Sequence, residues 1–529
     1  MAHRRRRRRG PAAHRVRRRA VRSGRRIGPL PPPRGARPGE RDARPLREHA
    51  AVRIAIIGAG PGGLATAKRL LDEGFDDFVI VERNGGVGGT WYQNRYPGCE
   101  CDVPSAYYSF SWEMKTDWSK PYGRQPEILA YLEHVAEKHG ILPHCRFGVS
   151  VTRAVWDEAR SGWTLHLDDG DVVEADVVVS AIGMFNELAY PEIEGLSDFA
   201  GTMFHSARWD HDHDITGETV AVIGSAASAV QLVPEIVETA GQVYLFQRSA
   251  NWIMPKPDDP YTEQQLEEFR RDPGPLLRFR AEVERSTNEN MTLDNAGLIA
   301  TREQIVLDAI EVVEDPATRA KLRPTSPYGC KRPLFANTFY PAFNRPDLEL
   351  VTEPITHITE DAVVTADGAA RRVDTIVCAT GFQAAKFLSA IDVVGRGGVH
   401  IDDAWRDGAQ AYLGITATGF PNLFMCYGPN TNNGSILTMI ESQVEHILLH
   451  LQRMRSGGLA WVEVRPEVQA RYNDELQAAI DAVTAWHADC HGYYRSDSGR
   501  IVTQWPFTMI EYDTRTRVLH EDAFAVGVG

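Results

Sequence analysis

The chain has 529 residues and a hydrophobic fraction of 43%, a length that calls for two or three domains rather than one core. Its net charge of -13 is unevenly spread: residues 1–49 hold 18 Arg, no Lys and three acids, a charge of +15, so the remainder carries -28. An acidic body excludes nucleic acid as its expected ligand, and no apolar run approaches the ~18 residues that span a bilayer.

Residues 1–50 contain six consecutive Arg (4–9) and three consecutive Pro (31–33), with too few bulky apolar residues to bury a core. We read them as an Arg/Pro-rich extension, disordered or not native to the protein. A transit peptide would be amphipathic, and this stretch has no apolar face. Arg25-Arg26 precedes Pro-rich sequence rather than an apolar region, so twin-arginine export is not expected. The seven Cys are scattered; only Cys99-x-Cys101 is close, and no second pair or His cluster completes a metal site. No metal is expected, and a reducing cytoplasmic compartment suits this usage.

Val52-Arg-Ile-Ala-Ile-Ile-Gly58-Ala-Gly60-Pro-Gly-Gly63 reads as strand, G-x-G-x-x-G turn and helix start, with a helical pattern over 64–71. Such glycines permit a tight turn and close approach to a pyrophosphate, which rests on the free amides of the helix N-terminus. A second apolar run, Phe78-Val-Ile-Val-Glu82, ends in an acid placed for a ribose 2′-hydroxyl. Next comes Gly88-Gly89-Thr90-Trp91-Tyr-Gln-Asn-Arg-Tyr96-Pro97-Gly98-Cys-Glu-Cys-Asp102, an aromatic-rich loop. Residues 126–139 have a helical stripe behind Pro126, and strand-like runs follow at 163–167 and 176–182.

After the segment Phe199-Ala-Gly201-Thr-Met-Phe-His205-Ser-Ala-Arg-Trp209-Asp210 the pattern repeats. Thr219-Val-Ala-Val-Ile-Gly224-Ser225-Ala-Ala-Ser228-Ala229 opens a second strand–turn–helix unit, with Gln231 on the helix. Its second strand, Val243-Tyr-Leu-Phe-Gln-Arg248-Ser249, ends in a cation, which suits a 2′-phosphate where an acid would repel it. Ala226 stands where glycine would let a pyrophosphate approach, and its methyl is expected to weaken that contact. Asp374-Thr-Ile-Val-Cys-Ala379-Thr380-Gly381 echoes Asp176-Val-Val-Val-Ser-Ala-Ile-Gly183. Between the halves of this unit lies a charged, helical-looking stretch, 258–323, and then Tyr328-Gly-Cys-Lys331-Arg332-Pro333 followed by Asn337. Two helices, about 437–455 and 467–487, close the pattern.

The segment 199–210, read as F-x-G-x-x-x-H-x-x-x-W-D, resembles the fingerprint of the type I Baeyer–Villiger monooxygenases, and the resemblance covers residues 52–529. It implies an α/β fold of two Rossmann-like dinucleotide-binding domains, for FAD and NADPH, with an inserted mostly helical subdomain. The expected partition is 51–195 and 384–529 for FAD, 196–257 and 330–383 for NADPH, and 258–329 for the insertion. The implied activity is insertion of one oxygen atom of O2 beside a ketone carbonyl, through a flavin 4a-peroxide. By resemblance Arg332 is catalytic, Asp102 orients it, and Lys331 reaches the 2′-phosphate of NADPH. Gly58, Gly60, Gly63, Glu82, Gly89, Thr90, Trp91, Tyr96 and Asp102 are expected around FAD. Gly224, Ser225, Ser228, Gln231, Arg248, Ser249, Lys331, Ala379, Thr380 and Gly381 complete the cofactor-binding set. Phe199, Gly201, His205, Trp209 and Asp210 are expected to couple the domains, with His205 in gating rather than acid–base work. Trp209 favours this group over the related heteroatom-oxidising flavin monooxygenases, the alternative reading. A pyridine-nucleotide disulfide oxidoreductase would need C-x-x-C or C-x-x-x-x-C, and Cys99-x-Cys101 has the wrong spacing. Pocket walls are expected from 258–329, from 430–435 and from Trp505.

Overall fold

The run Ile54–Ile57 is buried at all four positions because it has a parallel neighbour on each side, Phe78–Glu82 and Val177–Ser180. A strand covered on both faces must be apolar throughout, and Ile-Ala-Ile-Ile is. Cys145–Phe147 adds to one side and Leu423–Met425 to the other, giving a five-stranded parallel sheet. The last of these strands comes from far down the chain, so the C-terminal part returns to the first sheet. The computed structural model describes residues 52–488 and 492–528. The reading of 1–50 as an extension falls outside the described residues.

The second sheet repeats the first. Its order is Leu348–Val351, Gln242–Phe246, Thr219–Ile223, Thr375–Cys378, Thr202–His205, all parallel. The repetition extends to the turns. Gly58 has φ 102°, and a Cβ there would lie 2.8 Å from the Ala181 carbonyl oxygen. Gly224 has φ 106°, and a Cβ there would lie 2.4 Å from the Ala379 carbonyl oxygen. In both units the chain leaving the central strand passes so close to the end of its neighbour that only glycine fits. The echo between 176–183 and 374–381 is therefore structural as well as sequential.

Between the halves of the second unit run the helices Glu263–Arg271, Gly274–Asn290, Ala296–Ile310 and Pro316–Leu322, so the insertion is helical as read. The first is closed by a Thr262/Gln265 capping box. Two segments join the sheets, and they pair with each other: Ala189 N donates to Gly381 O at 2.9 Å and Gln383 N to Glu187 O at 2.9 Å. Helix Ile436–Gly457 packs against Pro61–Asp72 and Met509–Thr516, burying Ile440, Val444, Ile447, Leu448 and Leu451. Gly458, left-handed at φ 60°, ends it.

One expected helix is shorter. The stretch 467–487 divides into Pro466–Asp481 and a separate 3-10 turn, Thr484–His487, because the chain leaves the helix at Val483 (φ -86°, ψ 87°) to bury that side chain. Five cysteines, 99, 101, 145, 378 and 426, are free thiols, whereas Cys330 is disulfide-bonded, a departure from the expected reduced set. Among the described residues no helix is long and apolar enough to cross a membrane.

Candidate active site

One cavity of about 1000 Å³ touches both glycine turns and the segments that link the sheets. On the first unit it is lined by Gly58, Gly60, Glu82, Gly89, Thr90, Trp91 and Tyr96. Gly63 does not line it but makes the turn possible: a Cβ there would fall 2.0 Å from Gly58 O. Gly89 (φ 55°) lies against Gly60, with 2.8 Å from its built Cβ to Gly60 Cα, and Gly88 N donates to Ala59 O at 3.0 Å. The aromatic-rich loop therefore rests directly on the first turn. Glu82 is buried; its Oε2 accepts from Ala59 N at 2.7 Å and its Oε1 from Asn84 N at 2.8 Å. Trp91 donates Nε1–H to Tyr108 OH at 3.0 Å.

On the second unit the cavity reaches Ser228, Gln231, Arg248, Ala379, Thr380 and Gly381. Gly224 and Ser225 lie behind it, Ser225 O accepting from Asn251 Nδ2 at 2.8 Å. Ala226 is exposed at φ -91°, ψ -157°, an extended conformation open to any residue, so alanine leaves the turn unstrained. No side chain caps the helix Ala227–Ile236 that follows, which leaves its first amides open. Gln231 is already committed: Oε1 accepts from Tyr96 OH at 2.9 Å, and Nε2 donates to Glu100 O at 3.0 Å. Lys331 and Ser249 sit outside the lining, joined by a hydrogen bond from Nζ to Oγ. Burial and then the charge of Arg248 lower the Lys331 pKa, so two cations face one site that an anion would relieve.

Arg332 and Asp102 both line the cavity and meet as a fork, Nη2 to Oδ1 at 2.7 Å and Nε to Oδ2 at 3.2 Å. The carboxylate holds the guanidinium pKa well above its ordinary value, against the cost of burial. Tyr108, Tyr427 and Tyr493 share this end of the cavity, and burial raises each phenol pKa, so all three are neutral. Burial also pushes the Cys99 thiol up to about 12 and raises that of Cys101 further. Neither is a nucleophile at neutral pH.

None of Phe199, Gly201, His205, Trp209 and Asp210 lines the cavity. His205, 1% exposed, accepts from Ala207 N at Nδ1 (3.1 Å), which puts its proton on Nε2, facing Gly381 O at 3.1 Å. Burial lowers its pKa to about 4. With both nitrogens engaged and no charge at pH 7, it is a brace on the second linker. Gly201 permits close passage, since a Cβ would meet Asp374 O at 2.3 Å. Trp209 packs edge-on to Phe204 at 4.9 Å, and Asp210 Oδ1 accepts from Asp212 N at 3.0 Å.

Sequence reading missed Gln93 and Arg208. Arg208 Nη1 donates to Gln93 Oε1 at 3.2 Å, tying the fingerprint to the aromatic-rich loop. Of the expected pocket walls, 430–435 reaches the cavity through Gly434, whereas the insertion and Trp505 do not. None of the described residues 258–329 lines the cavity; Tyr427, Gly434, Ile436, Ile440 and Tyr493 do. Trp505 is fully buried, donating to Thr508 O at 2.9 Å. The insertion acts one layer back, where Asn288 Oδ1 accepts from Met509 N at 2.9 Å and Met291 O accepts from Asn433 Nδ2 at 3.3 Å. Burial of polar groups against those loops is not encoded in local periodicity.

A family model described as pyridine nucleotide-disulphide oxidoreductase matches residues 55–307. A Baeyer-Villiger monooxygenase of Streptomyces coelicolor is 40% identical over 481 residues, 89% of this chain and 91% of that protein. A solved structure of an oxidized steroid monooxygenase bound to NADP is 31% identical, covers 90% of this chain and 100% of its own, and superposes with a TM-score of 0.81. The structure of OTEMO in complex with FAD and NADP is 29% identical, with coverages of 90% and 99% and a TM-score of 0.81.

Proposed function

The chain belongs to the Baeyer–Villiger monooxygenase family, and from that premise we propose how its own side chains divide the reaction. The enzyme uses FAD and NADPH and inserts one oxygen atom of O2 beside a ketone carbonyl, giving an ester or lactone. The residues present suit both cofactors. The glycines at 58, 63 and 89 let the turn and the aromatic-rich loop close on each other where a Cβ would clash, which brings their backbone to the cavity wall beside Glu82. FAD, when bound and reduced by NADPH, supplies the activation of O2. Glu82 would accept from the ribose, the open amides of the two helix N-termini would receive the pyrophosphates, and Arg248 with Lys331 would take the 2′-phosphate.

The observation that carries the catalytic reading is the Arg332–Asp102 fork on the cavity wall. A guanidinium that does not deprotonate holds negative charge as it develops on the ketone oxygen. Asp102 aims it, using two of its five N–H donors. The neutral tyrosines add no competing anion, and Ile436 and Ile440 give the cavity an apolar lining. His205 braces the linker at Gly381 and would so hold that part of the cavity wall against the coenzyme. Five free thiols support a cytoplasmic location, Cys330 being the exception; cell fractionation tests it.

The decisive measurement is NADPH consumption over a panel of linear, cyclic and aryl ketones, with product mass. Addition of one oxygen to a ketone is expected. Oxidation of sulfides or amines with every ketone untouched would sink the reading.

A further inference from the structure

Arg332 and Asp102 are not the only charges that join these two segments. Ile253–Met254 and Leu334–Phe335 form a two-stranded parallel ribbon, with Ile253 opposite Leu334. Arg332 stands two residues before one strand, and Lys256 two residues after the other. Asn337 locks Lys256 onto the ribbon: its Oδ1 accepts from Lys256 N at 2.9 Å and its Nδ2 donates to Lys256 O at 2.8 Å. The Lys256 side chain, only 2% exposed, ion-pairs with Glu100 and lies 4.5 Å over the Tyr122 ring. Glu100 also accepts from Lys120 at 2.8 Å, and Asp258 accepts from Lys120 at 2.7 Å, so the cluster is neutral.

Glu100 and Asp102 are alternate residues of one loop. That loop thus meets one ribbon through two ion pairs, Glu100 to Lys256 and Asp102 to Arg332. We propose that Glu100 and Lys256 are positioning residues for oxygen transfer, whose buried pair sets the seat of the loop and so keeps Asp102 forked on Arg332. This rests on the reading of Arg332 and Asp102 as the catalytic pair. The physical reason is the asymmetry of burial. Lys256 has no route to water, so its attraction to Glu100 is weakly screened, whereas Arg332, 36% exposed at its side chain, must stay open to ligand. The inner pair supplies rigidity that the outer pair, facing the cavity, lacks.

The test uses FAD-loaded full-length enzyme carrying Glu100→Gln/Lys256→Met, which removes both charges and leaves no buried ion unpaired, beside Lys256→Arg. Crystal structures give the Arg332–Asp102 separations, and assays give hydrogen peroxide released per NADPH with ketone present. In the double variant the fork is expected to open and peroxide release to rise on the order of 10–100-fold, the scale set by a misplaced catalytic group. Flavin reduction by NADPH is expected to stay within about twofold, and Lys256→Arg to keep the fork closed. A closed fork with unchanged peroxide release in the double variant overturns the proposal, whatever the melting temperature does. A fork opened equally by Lys256→Arg also overturns it, since volume rather than charge would then hold the loop. A wild-type enzyme that oxygenates no ketone refutes the Baeyer–Villiger reading instead, and the fork geometry still decides the role of Lys256.

Discussion

Arg332 and Asp102 are 230 residues apart in sequence and share two hydrogen bonds, 2.7 and 3.2 Å, on the wall of one cavity. One comes from a loop beside the first glycine turn and the other from the chain that re-enters the second sheet. Arg332→Ala is expected to lower ester or lactone formation by ~100-fold or more while NADPH is still oxidised, because one preorganised charge is lost. Product formation against hydrogen peroxide release checks this. Undiminished ester formation would remove Arg332 from the catalytic role.

The cation pair Arg248 and Lys331 leads to a coenzyme prediction. Arg248→Ala is expected to raise the KM for NADPH on the order of tenfold or more and to leave that for NADH nearly unchanged, since only the former carries the 2′-phosphate. Flavin reduction followed with each coenzyme measures it, and an equal loss with both would refute the assignment.

Gly63 tests the FAD cradle. A methyl there would lie 2.0 Å from Gly58 O, a backbone atom with no freedom to retreat. Gly63→Ala is expected to cost roughly 1–3 kcal/mol and most of the bound FAD. The FAD-to-protein ratio after purification reports the outcome, and full occupancy contradicts the geometry.

His205→Ala removes the brace between Ala207 N and Gly381 O. FAD is expected to remain bound while flavin reduction slows and peroxide release rises. Normal reduction with loss of the ketone step alone would transfer His205 from domain coupling to catalysis.

Acid sensitivity follows from three buried histidines. Burial lowers His205 and His446 to about 4 and His450 well below its usual value. Above pH 6.5 the folded and unfolded states are both neutral at these sites, so no dependence arises. Below it the unfolded chain takes up protons that the folded chain refuses, and stability falls until about pH 4. For His205 and His446 the displacement from 6.5 to about 4 corresponds to roughly 3 kcal/mol as an upper bound for each. Melting temperatures between pH 7 and 4.5 are expected to drop, and less steeply in His446→Gln. A flat profile would contradict neutral burial.

The local elements were legible because each carries its own physics. Strands Ile54–Ile57 and Thr219–Ile223 are short apolar runs ended by glycine, and Gly58 and Gly224 are required by backbone approach within a few residues of chain. Arg332 and Asp102 were singled out by motif resemblance instead, and what the fold adds is that the two side chains meet. Tertiary structure alone decided the rest. It brought Lys256 beneath Glu100, set Gln93 against Arg208, and replaced the insertion by Tyr427, Ile436 and Tyr493 as cavity wall. These are meetings of polar or small residues from distant segments, with no period or spacing to announce them. The sequence determined which turns must be tight; only the folded chain determined which charges are buried together.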